Sequence, residues 1–425
     1  MLRSKRGLCL LTVAAVLLAA GTDARAVDAS DILVYNVGPF RLKPHVGVSE
    51  QYNDNIFFRS DKPTFTLVPV PGLTNVFQVK KVSVEDDLIT TLSAGTALQL
   101  GRREANHVMV DYTMDKSWYL DHQDVGHLDH TLLANTLLQG NRLTLTGNDR
   151  VQFLSGILGG GQNLGTKVNR WSFSDDYRLE YRVGEKTSVY ADGTYDTTDY
   201  AKGTPLYDDN MLRGTAGFSF KATEKTSLFG EFYYGQEATD PNRPFNTNDS
   251  TSIKGPHAEF YGGFVGARGD FTSRLKGSIK AGYESRQFSN DKPAADSPVV
   301  EATLDQRFSD RTTVSLIYSR RNSLSVQVAG DGYTADAISA QLRQVLTSDG
   351  KLFAIAGAGF ENDDYKALGA AAARRDRVYR ANFTLSYSIQ LWLSARLGYQ
   401  FEKYDSNVVI DYNVNSVTLS ILVGY

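Results

Sequence analysis

Val417-Thr-Leu-Ser-Ile-Leu-Val-Gly-Tyr425 alternates between two faces. Val417, Leu419, Ile421, Val423 and Tyr425 share one; Thr418, Ser420 and Gly424 share the other, with Leu422 the exception. Successive side chains of a β-strand point to opposite sides of its sheet, so this stretch is a strand with one apolar and one polar face. It stands last in the sequence, where chains fray unless they are tied down. A transmembrane β-barrel ties its last strand to its first, because lipid tolerates no unpaired sheet edge. The stretch therefore predicts an all-β chain folded as a single antiparallel transmembrane β-barrel.

The same alternation recurs upstream. Tyr379, Ala381, Phe383, Leu385, Tyr387 and Ile389 oppose Arg380, Asn382, Thr384, Ser386 and Ser388. Leu391, Leu393, Ala395, Leu397, Tyr399 and Phe401 oppose Trp392, Ser394, Arg396, Gln400 and Glu402. Phe173, Tyr177, Leu179, Tyr181 and Val183 oppose Ser174, Asp176, Arg178, Glu180 and Arg182, and Asp175 breaks the pattern. Runs of about ten residues or more suit a tilted membrane strand, whereas strands of soluble sheets are about half as long. Tight polar turns fall near Gly101, Gly140, Gly184 to Lys186, Thr223 to Lys225, Thr272-Ser273, Ser309-Asp310, Asp349-Gly350 and Ile389-Gln390. Longer Asp-, Asn-, Gly- and Pro-rich segments lie between them. Traced from Lys43, this rhythm gives about 18 strands, with short turns in the periplasm, long loops outside and both termini periplasmic.

Two segments do not read as strands. Phe57 to Asp87 carries Pro63, Pro69 and Pro71 and reads as an exposed loop or a constriction folded into the mouth. Ala367 to Arg377, with its alanine run, reads as a short helix within a loop or as plain loop.

At the other end, Arg3, Lys5 and Arg6 precede an apolar run from Leu8 to Ala20, and Ala24-Arg25-Ala26 offers a small-residue cleavage site. Residues 1–26 are thus expected to be a signal peptide, 27–42 a periplasmic segment and 43–425 the outer-membrane barrel. Cys9 is the sole cysteine and lies in that leader, so the mature chain has no disulfide and no thiolate metal site. Among 425 residues, 37 Gly, 23 Tyr and 21 Phe suit strands that are apolar on one side only. The formal charge of −3 becomes more negative when the leader, with four bases and one acid, is lost. That balance gives no electrostatic case for nucleic acid.

Catalytic and cofactor signals are weak, and neither catalytic residues, a cofactor nor a metal is expected. His122, His127 and His130 cluster with Asp121, Asp124 and Asp129, a set that reads chiefly as a solvated polar rim rather than a divalent-metal site. Gly159-Gly160-Gly161 and Gly165-Thr166-Lys167 lack the order and the following helix of a phosphate-binding loop. No G-x-S-x-G elbow occurs. The polar strand faces say more. Arg178, Arg182, Arg213, Lys276, Lys280, Arg286, Arg343, Arg380, Trp392 and Arg396 are the expected lumen lining. A basic side chain facing lipid near the midplane would cost about 2–4 kcal/mol, so the bases should turn inward. Asp111, Asp115, Glu180, Asp192, Asp196, Glu284, Asp305, Glu361 and Glu402 interleave with them. Tyr190, Tyr261 and Trp392 would offer flat faces to sugars, and the basic excess over the later strands hints at an anionic solute.

The stretch from Val37 to Ile56 ends in Tyr52-Asn53-Asp54-Asn55-Ile56. It resembles the opening of an outer-membrane β-barrel porin family found in bacterial exopolysaccharide gene clusters. Asp87 to Leu100 resembles that family's second strand, with Ala94 where Pro is common. The C-terminal strand is similar to the assembly signal of bacterial outer-membrane proteins, most of which end in Phe rather than Tyr. The resemblance implies an outer-membrane channel exporting an exopolysaccharide or capsular polysaccharide in a Gram-negative-type bacterium. A general or sugar-selective diffusion porin is the alternative, and a lipid hydrolase or deacylase a minor one. The implied partners are outer-membrane lipid, a polysaccharide or sugar solute, a periplasmic export complex and the barrel-assembly machinery.

Overall fold

The computed structural model describes residues 33–62, 64–69, 77–101, 106–159, 165–204, 206–241, 257–288, 295–325, 332–365, 373–408 and 411–424. Residues 64–69, 77–81, 241 and 295 contribute backbone only. The expected leader, the Gly160–Gly161 run, most of the alanine run and Tyr425 lie outside the described residues.

Eighteen long antiparallel strands form a closed barrel. They are β1 (Phe40–Asn53), β2 (Asp87–Gly101), β3 (His107–Tyr119), β4 (His127–Gln139), β5 (Leu143–Leu154) and β6 (Arg170–Arg182). Next come β7 (Thr187–Tyr200), β8 (Tyr207–Lys221), β9 (Thr226–Pro241), β10 (His257–Asp270), β11 (Leu275–Phe288) and β12 (Ala295–Ser309). The circuit ends with β13 (Thr312–Leu324), β14 (Gly332–Val345), β15 (Leu352–Tyr365), β16 (Arg375–Gln390), β17 (Leu393–Ser406) and β18 (Tyr412–Val423). Each strand pairs with its sequence neighbours, and β1 pairs with β18. Short connections sit at one rim and longer ones at the other, as the turn chemistry predicts, and both chain ends lie at the short-turn rim. Two boundaries shift. The last short turn is Leu391-Trp392 rather than Ile389-Gln390, and Arg375 to Arg377, expected in a loop helix, open β16 because they pair with Asp364 to Asn362.

Register assigns the two faces. Large apolar side chains such as Phe218, Phe232, Tyr283 and Phe383 point outward, and Val265 is 72% exposed there. Such an outer band is stable only against lipid. Polar groups on this face are bound locally. Tyr177 Oη donates to Asp149 (3.0 Å), Tyr112 Oη meets His130 Nδ1 (2.7 Å), and Arg320 Nη1 donates to both oxygens of Asp336 (2.9 and 2.7 Å). Arg320 and His130 thus depart from the inward placement expected of basic groups; each has a partner that offsets its desolvation.

Closure is the demanding step. β1 and β18 pair from Val46↔Val423 to Asn53↔Ser416. Below Val46 the edge of β1 is covered by a short strand, Tyr35–Val37, which folds back through Gly38 (φ +60°) and pairs with Phe40 to Leu42. At the loop rim side chains replace the ladder. Asp54 N donates to Asn415 O (3.1 Å), and Asp54 carboxylate oxygens accept from Asn415 N and Nδ2 (both 2.7 Å). Asn55 Nδ2 donates to Asn413 O (2.8 Å) and Arg59 O (2.7 Å), and its Oδ1 accepts from Arg59 N (2.8 Å). Asn53-Asp54-Asn55 is therefore a seam clasp that also turns the chain inward. Replacing Asn55, which is 1% exposed, with Ala would leave buried backbone groups unpaired at on the order of 1–3 kcal/mol each. We expect Asn55→Ala to lower the temperature at which the detergent-solubilised barrel loses its heat-modifiable gel mobility; an unchanged transition would remove the clasp role.

Candidate functional site

Alternation delivers charged and aromatic side chains to the inside of the barrel, and they sort into two kinds of wall. One is packed. Tyr233, Phe260, Phe264 and Val299 form a buried cluster against β9 to β12. Tyr233 Oη donates to Glu284 (3.1 Å), and Arg286 binds Glu284 (3.2 Å) and Glu237. Glu237 also accepts from Ser323 Oγ (3.1 Å) and Leu324 N (2.9 Å), which ties β9 to β13 across three intervening strands. Gly262 makes room: a Cβ there would lie 2.4 Å from Tyr233 Oη. This sector is solid protein inside the barrel.

The remaining wall is wet and charged. Arg178 makes a two-point contact with Asp192 (2.6 and 2.8 Å), lies 4.4 Å from the Tyr190 ring centroid and reaches Glu231 (3.7 Å). Glu231 also accepts from Tyr190 Oη (2.9 Å) and faces Lys280 (3.5 Å), which reaches Glu301 (3.0 Å). Contacts from β6 to β9 and from β9 to β11 skip strands, so they can form only on the concave side. A second chain runs Arg321–Glu361–Arg380–Glu402, at 2.9, 2.9 and 3.1 Å, and ends on Tyr412 Oη (2.7 Å). Beside it lies a cavity of about 640 Å³ lined by the amides of Gln51, Asn53, Asn382 and Gln400, with Arg380 and Glu402. Each charge here has a partner at hydrogen-bonding range, so the wall is polar without being strongly adhesive.

The first loop enters the mouth over Asn55 to Ser60, the constriction reading of Phe57 to Asp87, but Thr64–Pro69 and Phe77–Val82, not expected to be strands, pair as an antiparallel hairpin within it. Ile56 and Phe57 pack on Ile89, Tyr119 and Val125. Phe58, at φ +50°, turns its ring onto Tyr412 (5.3 Å) and borders the amide cavity. A polar latch holds this fold. Glu85 accepts from Arg59 and meets His122 Nε2 (2.7 Å), while His122 Nδ1 meets Asp87 (2.8 Å). Asp87 in turn accepts backbone N–H groups of Leu88, Leu120, Asp121 and His122 at 2.7 to 3.1 Å. Burial opposes the charge on His122, but hydrogen bonds and attraction from Asp87 and Glu85 prevail and raise its pKa above the ordinary 6.5. Burial pushes Glu85 up, yet Arg59 and His122 bring it below its ordinary 4.5.

Register puts Arg178, Arg182, Arg213, Lys276, Lys280, Arg286, Arg343, Arg380 and Arg396 on the lumen face. They do not form one site: Arg286 belongs to the packed sector, Arg178 and Lys280 share Glu231, and Arg182 donates to Asn141 O at the turn rim (3.0 Å). Trp392 sits in the turn between β16 and β17, not on a strand. Tyr261 faces lipid rather than solute, because its neighbours Phe260 and Gly262 take the inner face. The histidine cluster disperses: His122 joins the latch, His127 lies near Asp129 (3.7 Å), and His130 faces outward. Among the described residues no group of three metal-ligating side chains forms. Sequence reasoning overlooked Glu231, although its alternation with Phe229 and Tyr233 was available. It also missed the pairing of Arg59, Glu85 and Asp87 with His122, which depends on the path of a loop.

Residues 243–425 match the model of a family described as "Putative beta-barrel porin 2". Among curated proteins no sequence matches. Solved structures similar to the chain include OpdK from Pseudomonas aeruginosa, at 10% identity and a TM-score of 0.44, with 90% of this chain and 99% of that one covered. OccAB4 from Acinetobacter baumannii is similar at 9% identity and 0.42, covering 90% and 98%. OpdL from Pseudomonas aeruginosa is similar at 13% identity and 0.40, covering 90% and 99%. The chain is a closed β-barrel of 18 long antiparallel strands, and its C-terminal part is similar in sequence to a porin family.

The latch makes a pH prediction. His122 has a raised pKa, so its contribution is complete below 6.5 and is lost as pH rises through the folded value. Glu85 has a lowered pKa, so its contribution is present above 4.5 and is lost as pH falls through its folded value. Protease protection of the first loop should therefore be greatest between about pH 5 and 6 and weaken toward pH 8. His122→Gln should flatten the alkaline limb; a profile identical to that of the unmodified chain would remove the latch.

Proposed function

We propose that this barrel is a passive diffusion porin for small polar solutes, with both termini in the periplasm. The observation that supports this best is the composition of the wet wall. Its central charges form paired chains and its open cavity is lined by amides, so a hydrated solute can exchange water for side-chain hydrogen bonds and leave again. Barrels of 16–18 strands leave an aqueous channel unless something fills it, and here the packed sector occupies only part of the circumference. Sugar-sized uncharged solutes suit the amide cavity beside Phe58, whereas a narrowly anion-selective site is less well supported because Lys280, Arg286 and Arg380 among the later-strand bases are paired with glutamates.

An export conduit for an exopolysaccharide or capsular polysaccharide, with a periplasmic complex as partner, is a second reading; it rests on the likeness of Tyr52 to Ile56 to a family opening. The outer-membrane lipid and the assembly machinery are partners under either reading. A lipid hydrolase or deacylase is less well supported: the hydroxyl–imidazole contact of Thr113 Oγ1 with His45 Nε2 (3.0 Å) lies on the lumen face, away from lipid. Purified barrel in planar bilayers should give steady conductance, and liposomes carrying it should swell in mono- and disaccharides. A correctly folded barrel that neither conducts nor admits sugars would overturn the porin reading. Loss of surface polysaccharide on gene deletion, with sugar permeability unchanged, would favour export instead.

A further inference from the structure

Charge along the barrel axis is not evenly mixed. Near the short-turn rim the lumen face carries Arg41, Lys43, Arg268, Lys276, Arg343 and Arg396, each within four residues of its strand's end. None of these forms an ion pair among the described residues, although Asp305 is the cross-strand neighbour of Lys276. Near the loop rim the lumen face carries Asp129, Asp196, Asp209 and Asp363, each within five residues of its strand's end. Of the bases at that rim, Arg286 is neutralised by Glu237 and Glu284, Arg321 by Glu361, and Arg380 by Glu361 and Glu402, whereas Arg150 and Arg170 form no ion pair among the described residues. At the opposite rim the lumen face also carries Asp111, Glu180, Asp270 and Asp305, four acids against the six bases, and Asp111 lies 3.8 Å from His45.

We propose that the lumen is an axially bipolar filter, acidic toward the loops and basic toward the short turns, which favours zwitterionic solutes over singly charged ones. This rests on the porin reading. Low-dielectric walls focus the field of unpaired charges into the channel, so an anion meets a barrier in the acidic zone and a cation meets one in the basic zone. A zwitterion aligned with its ammonium toward the loops meets neither. The same polarity rectifies current: when the loop-side compartment is positive, cations enter through the acidic end and anions through the basic end, and the pore fills with carriers. The opposite voltage empties it.

Single-channel recording in dilute KCl tests this. Orientation can be fixed by an Asn407→Cys variant, with Cys9 replaced by Ser, blocked from one side with an impermeant thiol reagent, since the chain has no other cysteine. We expect about twofold or more current with the loop side positive, shrinking toward symmetry in about 1 M salt, where the screening length is roughly 3 Å. Lys276→Gln, Arg343→Gln and Arg396→Gln together should abolish the asymmetry while conductance persists. Liposomes should swell several-fold faster in zwitterionic glutamine than in an anion or cation of similar size. Symmetric conductance with no zwitterion preference overturns the bipolar filter and leaves the porin reading standing, whereas a folded barrel that does not conduct overturns both.

Discussion

Everything else in this fold depends on β1 finding β18. A sheet of this length in lipid has two edges, and each unpaired backbone group in hydrocarbon costs several kcal/mol. The register from Val46↔Val423 to Asn53↔Ser416 removes those edges. Where it stops, other groups take over: Tyr35–Val37 at the lower rim, Asp54 and Asn55 at the upper. The clasp has a second consequence. By bending the chain inward at Asn55 it commits Ile56, Phe57 and Phe58 to the mouth, so the residues that close the barrel also narrow its entrance.

Inside, the chain reconciles two demands on one period-two pattern. Facing lipid requires large apolar groups on every second residue, and the alternate residues must then fill or wet the interior. Between β9 and β13 they fill it, with tyrosine and phenylalanine rings against a buried Arg286 whose charge is met by two glutamates. Elsewhere they wet it, in part through the carboxylate–guanidinium chains around Glu231 and Glu361. Removing one partner from the buried set would leave an uncompensated charge, a loss of about 3–5 kcal/mol. The packed sector therefore acts as a stiff rib on one side of the lumen.

The fold was largely legible because alternation is a local property. Each strand declares its two faces without reference to the others, and the Gly-, Asp- and Ser-rich turns mark where one ends. Arg178, Lys280 and Arg380 could be turned inward from their own strands alone. What could not be read is whatever depends on which strands meet across the lumen. Nothing local tells Arg286 that it will lie in a packed rib while Arg396 remains unpaired, and nothing local sends His122 to Glu85. Tyr261 was misplaced for a different reason: the Gly262-Gly263 pair breaks the visible alternation, so its phase had to come from the register with β9 and β11.

The central claim is a closed barrel around a water-filled lumen, and the strand that closes it offers the most direct test. Single cysteines at Asn415 to Ser420 of β18, in a chain whose one natural cysteine, Cys9, is replaced by Ser, can be challenged with a small water-soluble maleimide in intact membranes. Labelling should alternate, with Ser416→Cys, Thr418→Cys and Ser420→Cys reactive and Val417→Cys and Leu419→Cys protected by lipid. Uniform protection would mean a filled or collapsed interior, and labelling without a period of two would contradict the barrel itself.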